Sequence, residues 1–253
     1  MGKGTIRRRI AGRALAAGLV LAPGWDQPAP AQARQADNPR GEVFYHVFVR
    51  SFRDANGDRI GDPAKARALA AMIFVLRGEP LVYYGQEPGM RGVKGPAEPT
   101  DAPDIPRREA FAWRADADAP GTATWYRALD RVWARRINRG HDGVSVEEQD
   151  HAPGSLLNWY RRLIALRRSR PELDHGAQAF PCVETSPVLC IARRARARRT
   201  LALINLSGAP AAPVFAAGPS RQDFSVQGLV PLAGEGAVAD PIPAYGVRIV
   251  GTR

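Results

Sequence analysis

The stretch AKARALAAMIFVLR (64–77), followed by GEPLVYYGQEPGM (78–90), decides the fold. The first part has helix-forming composition and no internal Gly or Pro. Gly78 stops it and Pro80 follows, as at many helix C-termini. Leu81-Val82-Tyr83-Tyr84 then reads as a short buried strand. Helix, tight turn and strand together make the second half of a βα repeat, so the chain is expected to be α/β.

Upstream, EVFYHVFVRSF (42–52) is rich in β-branched and aromatic residues and reads as a strand. It enters a polar loop, RDANGDRIGDP (53–63), in which Asp54, Asn56 and Asp58 alternate and Asp62 follows. Alternating oxygen-bearing side chains on a tight loop can converge on one hard cation, with the Ile60 carbonyl between them. Ca²⁺, with its six to eight oxygen ligands, is the expected ion. Arg59 stands where an EF-hand has its glycine and Lys65 where it has its last glutamate, so the loop is of another type. The alternative is a polar Asx-turn loop holding no ion.

Downstream, residues 85–120 are dense in Pro, Gly and Asp and read as a long loop. TWYRALDRVWARRI (124–137) has helical composition. Ser155 is placed to cap the next helix, SLLNWYRRLIALRRSR. Leu156, Tyr160, Leu163 and Ile164 share its apolar face, and Pro171 ends it. Beyond residue 175 the texture changes to short strands, VLCIA, TLALINL, APVFAA and VRIV, which predict an antiparallel β domain. Arg193, Arg194, Arg196, Arg198 and Arg199 fall between two of them. No aromatic residues interleave, so a solvated hairpin tip is preferred over a phosphate-binding one.

The first 33 residues read as an export signal. MGKGTIRRR is basic, Ala14–Ala22 is apolar, and Ala31-Gln32-Ala33 has the form of a cleavage site. The chain is expected to be exported, to a periplasmic or extracellular compartment. There Cys182 and Cys190 either join across a hairpin turning at Ser186-Pro187 or remain two buried thiols.

Composition narrows the function. The 253 residues are 45% hydrophobic and 24% charged, which excludes wholesale disorder. No apolar run in the mature chain is long enough to span a bilayer. Net charge is +11, but the leader carries +4 of it and the rest is scattered in short clusters, so no nucleic-acid partner is expected. His46, His141, His151 and His175 are too dispersed for a zinc site. There is no G-x-S-x-G elbow, Walker loop or dinucleotide glycine pattern.

FYHVFVRSFRDANGDRIGD (44–62) resembles the opening of the α-amylase superfamily of glycoside hydrolases, a first barrel strand followed by a calcium loop. GEPLVYYGQEPGM resembles its eighth strand and the following loop. DIPRREAFAW, SVEEQ and DHAPGSLLNWYRRLIALRRSRPEL resemble the stretch after it, and the closing β region is similar to the family's C-terminal sandwich. The resemblance implies an incomplete (β/α)8 barrel remnant over 34–174, after a leader at 1–33, and a β-sandwich over 175–253. It also implies an α-glucan or maltooligosaccharide as partner.

Segments resembling strands two to seven are absent, and with them the family's Asp, Glu and Asp reaction-centre motifs. The chain passes through Pro63 from the first-strand region into the helix before the eighth. No catalytic residue is carried over. His141-Asp142 lies after the eighth-strand match, on the wrong side to be the family's N-H-D. Glu87, Asp101, Asp104 and Glu109 are expected in rim or surface roles. Trp113, Trp125, Trp133 and Tyr84 could stack on sugar rings, or could belong to the core or an old rim. Open sheet edges and bare helix faces predict self-association.

Overall fold

The computed structural model describes residues 63–92, 109–123, 140–217, 227–234 and 236–253. All of them belong to one compact unit, residues 37–253. The expected strand at 42–52, the calcium loop Asp54, Asn56, Asp58, Ile60 and Asp62, and the helix at 124–137 lie outside the described residues.

Helix α1 spans Pro63–Val75, with the rigid φ of proline at its first position. It is buried almost all round, which marks a core helix rather than an amphipathic surface one. Even Lys65 is buried, its Nζ 4.6 Å from the Tyr245 ring centroid in a cation–π contact. Gly78, expected to stop the helix, lies just beyond it with φ 120°, a backbone state that favours glycine.

Helix α2 (Val146–Gln149) is a single turn with a full capping box. The Ser145 side chain accepts from Glu148 N, and the Glu148 carboxylate accepts from Ser145 N. Helix α3 (Leu156–Ser169) starts where expected, with Ser155 Oγ accepting from Asn158 N at 3.2 Å. Its buried face is Leu157, Trp159, Tyr160 and Leu163. Ile164, assigned to that face from sequence, is 38% exposed and Leu156 only half-buried. Pro171 does end α3, and it also opens α4 (Pro171–His175).

Five strands form one antiparallel sheet: β1 (Ala177–Ala179), β2 (Val188–Ala195), β3 (Arg198–Asn205), β4 (Val230–Ala233) and β5 (Val247–Gly251). Their order is β1-β2-β3-β5-β4. The central strands are buried on both faces, so alternate residues enter different cores. Ile191, Ala202, Ile204 and Ile249 pack under α1, α3 and α4, against Phe74, Val75, Tyr160, Leu163 and Leu173. Val188, Cys190, Ala192, Leu201, Leu203 and Val250 pack against Ile242, Phe215 and Ala211 on the other face. The first core therefore runs across residue 175, joining helices from before it to strands from after it.

Several expectations need correction. Leu81–Tyr84 is not a strand, because no strand among the described residues pairs with it. Leu81 is 48% and Tyr84 40% exposed, and the chain turns from Tyr84 to Gly89. Among the described residues APVFAA (212–217) contributes only the isolated bridge Cys182↔Phe215, with Ala211↔Ile242 just before it, since Pro210 and Pro213 withhold donors from a continuous ladder.

Arg193, assigned to a solvated tip, is fully buried. It alternates in register with Ile191 and so faces the helices, where Nη1 donates to Val75 O at 2.8 Å and Nη2 to Gly176 O at 3.0 Å. The hairpin tip itself holds Arg196, with φ 54°, and the exposed Arg198.

Cys182 and Cys190 form a disulfide, with Cα atoms 5.5 Å apart. They are not facing members of one hairpin. Cys190 lies in β2, whereas Cys182 bridges to Phe215 in the layer covering the sheet's second face. The bond fastens that layer to the sheet. No described helix is long and apolar enough to cross a membrane.

Candidate functional site

The first turns of α1, the loop 84–91, the turn 142–144 and the start of α3 surround a cavity of about 460 Å³. Its lining includes Ala66 and Arg67 from α1, Tyr84 and Met90 from the loop, Glu148 from α2 and Leu156 from α3. Such a volume suits a small ligand.

The loop owes its shape to residues close in sequence. Gln86 Oε1 accepts from Tyr83 N at 3.0 Å, and Glu87 Oε2 accepts from Gly85 N at 3.0 Å. Met90 N returns to Gly85 O at 2.7 Å. Gly85 has φ +88°, and a Cβ there would lie 2.9 Å from Met90 Sδ, so only glycine suits the position.

Gln149 holds the floor together. Its Nε2 donates to Pro88 O at 2.7 Å and Gly143 O at 2.8 Å, and its Oε1 accepts from Leu157 N at 3.0 Å. One buried amide thus ties the loop, the 142–144 turn and the first turn of α3. Asn158 Nδ2 reinforces it, donating to the carbonyls of Gln149, Asp150 and Ala152.

The acidic groups of the cavity are engaged by their own backbone. Glu148 accepts from Gly143 N, Ser145 N and Ser145 Oγ, the last at 2.6 Å. Partial burial pushes its carboxyl up, but these hydrogen bonds, with His141 nearby, outweigh that and hold it below the usual carboxylate range. Asp142 Oδ1 accepts from Val144 N at 3.2 Å.

Arg67 is different. Its Nε is buried without an acceptor among the described residues. Burial, then the neighbouring Arg162, pulls its guanidinium below the ordinary arginine value. Tyr160, whose buried hydroxyl also lacks a partner among the described residues, is pushed well above the usual phenol by burial, with Glu87 adding to the effect.

Of the residues singled out from sequence, Glu87 reaches the loop beside the cavity. Glu109 is buried, and its carbonyl accepts the Tyr84 hydroxyl at 3.3 Å. His141 occupies a turn at φ 57°, and His151 and His175 sit beside Asp150 and Asp174. Trp113 is 65% exposed, its ring 4.6 Å from that of Phe111. His46, Asp101, Asp104, Trp125 and Trp133 lie outside the described residues. No group of three His, Cys, Asp or Glu that could hold a metal occurs among the described residues. The sequence reading did not single out Arg67, Glu148 and Gln149. Only Glu148 had a visible signal, the Ser-x-x-Glu capping pattern at 145–148.

The α-amylase catalytic domain matches residues 50–176. The chain belongs to the α-amylase family. Among its relatives, the trehalose synthase of Thermus thermophilus is 30% identical over 152 residues, 58% of this chain and 15% of that protein. The probable oligo-1,6-glucosidase 3 of Bacillus subtilis is 24% identical over 189 residues, 66% of this chain and 34% of that one. Among solved structures, the α-amylase from H. orenii superposes with a TM-score of 0.52 at 29% identity, over 78% of this chain and 37% of that chain.

This chain spans well under half the length of each of these proteins. Loop 84–91 and helices α1 to α4 all fall within the matched catalytic-domain segment, so the cavity is built from family sequence.

Proposed function

We propose that this chain is a carbohydrate-recognising member of the α-amylase family that lacks a working hydrolytic centre. Its relatives are named for trehalose synthesis, oligo-1,6-glucoside hydrolysis and amylolysis, and we carry over only the class of partner, an α-glucan or maltooligosaccharide. One observation supports the loss of hydrolysis above the rest. Glu148 and Asp142 at the cavity, and Glu87 beside it, are each held by backbone N–H groups of their own turn. A retaining glycosidase needs two carboxyls about 5–5.5 Å apart on either side of the scissile bond, one of them able to carry a proton. A carboxylate fixed as an acceptor, like Glu148, is poorly suited to donate.

In this reading residues 34–174 are a remnant of the family's barrel, and residues 175–253 descend from its C-terminal sandwich. The test is release of reducing sugar from maltoheptaose by the purified protein, with Glu87→Gln alongside. No release is expected from either. Turnover abolished by the substitution would overturn the proposal.

The exposed Trp113, with Phe111 against it, and the half-exposed Tyr84 favour sugar binding without turnover, because aromatic faces stack on pyranose rings. Calorimetry with maltoheptaose should then give heat that Trp113→Ala removes.

The loop Asp54, Asn56, Asp58, Ile60, Asp62 supplies three carboxylates, one amide oxygen and one carbonyl, a hard-oxygen set whose chemistry fits Ca²⁺. Calcium there would tie the loop preceding α1. A chelator should lower the thermal midpoint, and added Ca²⁺ should restore it. Export of the chain and self-association of the folded protein complete the proposal. Fractionation of cells and sedimentation of the purified chain test them.

A further inference from the structure

Beyond the carbohydrate reading, we propose that the cavity between α1, loop 84–91 and α3 is a site for a small organic anion, an oxyanion head on an apolar body, with Arg67 as the residue that pairs the charge.

Three observations carry this. The first is the cavity itself, about 460 Å³, its lining mostly apolar through Ala66, Met90, Val144 and Leu156, with the Tyr84 ring at the edge. The second is the state of its polar groups. A sugar presents hydroxyls all round and needs many free donors and acceptors. Here the Gln86 and Gln149 amides, the Glu148 carboxylate and the Ser155 hydroxyl already hold protein partners.

The third is Arg67. Its Nε is out of water with no acceptor among the described residues, and none of the ion pairs among them involves it. A guanidinium whose Nε is already out of water gains from an arriving oxyanion, because charge-assisted pairing replaces the part of its hydration already lost. Arg91 also lines the cavity and adds positive charge. Asp142 and Glu148 bring negative charge, but both Glu148 oxygens and Asp142 Oδ1 accept from backbone N–H groups. The apolar lining would take the body of the ligand, as one formyl or methyl group would leave most of the volume unfilled.

The test is calorimetry on the whole chain with three probes: benzoate, phenyl phosphate and the uncharged benzamide. Arg67→Gln is the paired variant. Its backbone still offers the carbonyl that accepts Trp159 Nε1 at 3.1 Å, so the fold is retained, and an unchanged thermal midpoint checks this. Saturable binding of benzoate or phenyl phosphate is expected, weakened about tenfold or more by Arg67→Gln and for benzamide. Which of the two anions binds tighter tells carboxylate from phosphate chemistry.

A second variant, Ala66→Phe, narrows the cavity without touching the charge and should also abolish binding. Equal binding of benzoate and benzamide, undiminished binding in a folded Arg67→Gln protein, or no heat from either anion would each overturn the proposal. None of these outcomes depends on whether maltoheptaose binds.

Discussion

Replacing Arg193 by methionine tests the packing logic at its most exposed point. The guanidinium is fully buried between the sheet and the helices, and it donates to Val75 O at the C-terminal end of α1 and to Gly176 O just after α4. Methionine fills much of the same volume and donates to neither. Each buried carbonyl left without a donor costs about 1–3 kcal/mol. Part of this is offset, because burial, together with Arg167 and Arg77, pulls the Arg193 guanidinium down to about 10, and that unfavourable charge would be gone. The net expectation is a loss of about 2–4 kcal/mol.

Arg194 is the internal control. It is the next residue on the same strand, points to the other side and is exposed. Arg194→Met should change stability by less than about 0.5 kcal/mol. Urea unfolding followed by far-ultraviolet circular dichroism measures both. Equal midpoints for the two variants would refute the claim that Arg193 holds the end of α1 to the sheet.

Further outcomes are expected elsewhere. Ser155→Ala removes the α3 cap and should cost about 0.5–2 kcal/mol in the same assay. Cys182→Ser with Cys190→Ser opens a short loop and should cost about 2–3 kcal/mol, and a dithiol reductant should lower the parent's midpoint to match. Tyr160→Phe should be neutral or slightly stabilising near pH 7, since the hydroxyl it removes has no partner among the described residues. The raised Tyr160 pKa gives a pH signature. Its contribution is fully present below the unfolded phenol value of about 10 and declines as pH rises above it, because only the unfolded chain then releases the proton. The parent should thus lose stability faster than Tyr160→Phe above pH ~10.

What could be read from sequence follows physical rules. Helices α1 and α3 are legible because each is long and carries a stop signal, Gly78 for one and Pro171 for the other, with the Ser155 cap opening α3. Strands β2, β3 and β5 showed themselves by β-branched runs. Strands β1 and β4 did not, since AQA and VPLA have no such composition and are fixed by their neighbours in the ladder.

At Arg193 strand parity overrides charge. Arg193 stands two residues after Ile191, and strand alternation alone puts both on one face. Gln149 could not have been read at all. Its three partners, Pro88, Gly143 and Leu157, come together only in the folded chain. Arg67 was equally silent, one basic residue in a helix with nothing nearby in sequence to mark its missing acceptor.

The arrangement at the end of α1 bears on how the fold could persist under the proposed loss of hydrolysis. An arginine from α3, Arg167, donates to Phe74 O at 2.8 Å and to Gly78 O, and Arg193 from β2 takes Val75 O between them. The carbonyls that a helix leaves unpaired at its C-terminus are thus satisfied by the next helix and by the sheet. Trp159 Nε1 binds Arg67 O near the other end, and Ile191, Ile204 and Ile249 of the sheet share the helices' core. None of these contacts calls on a barrel strand. The segment that in the proposed ancestry was such a strand, Leu81–Tyr84, has Leu81 and Tyr84 exposed and no ladder among the described residues. A chain can lose a hydrolytic centre housed among barrel strands and still keep the helix-on-sheet core, because the two draw on different contacts.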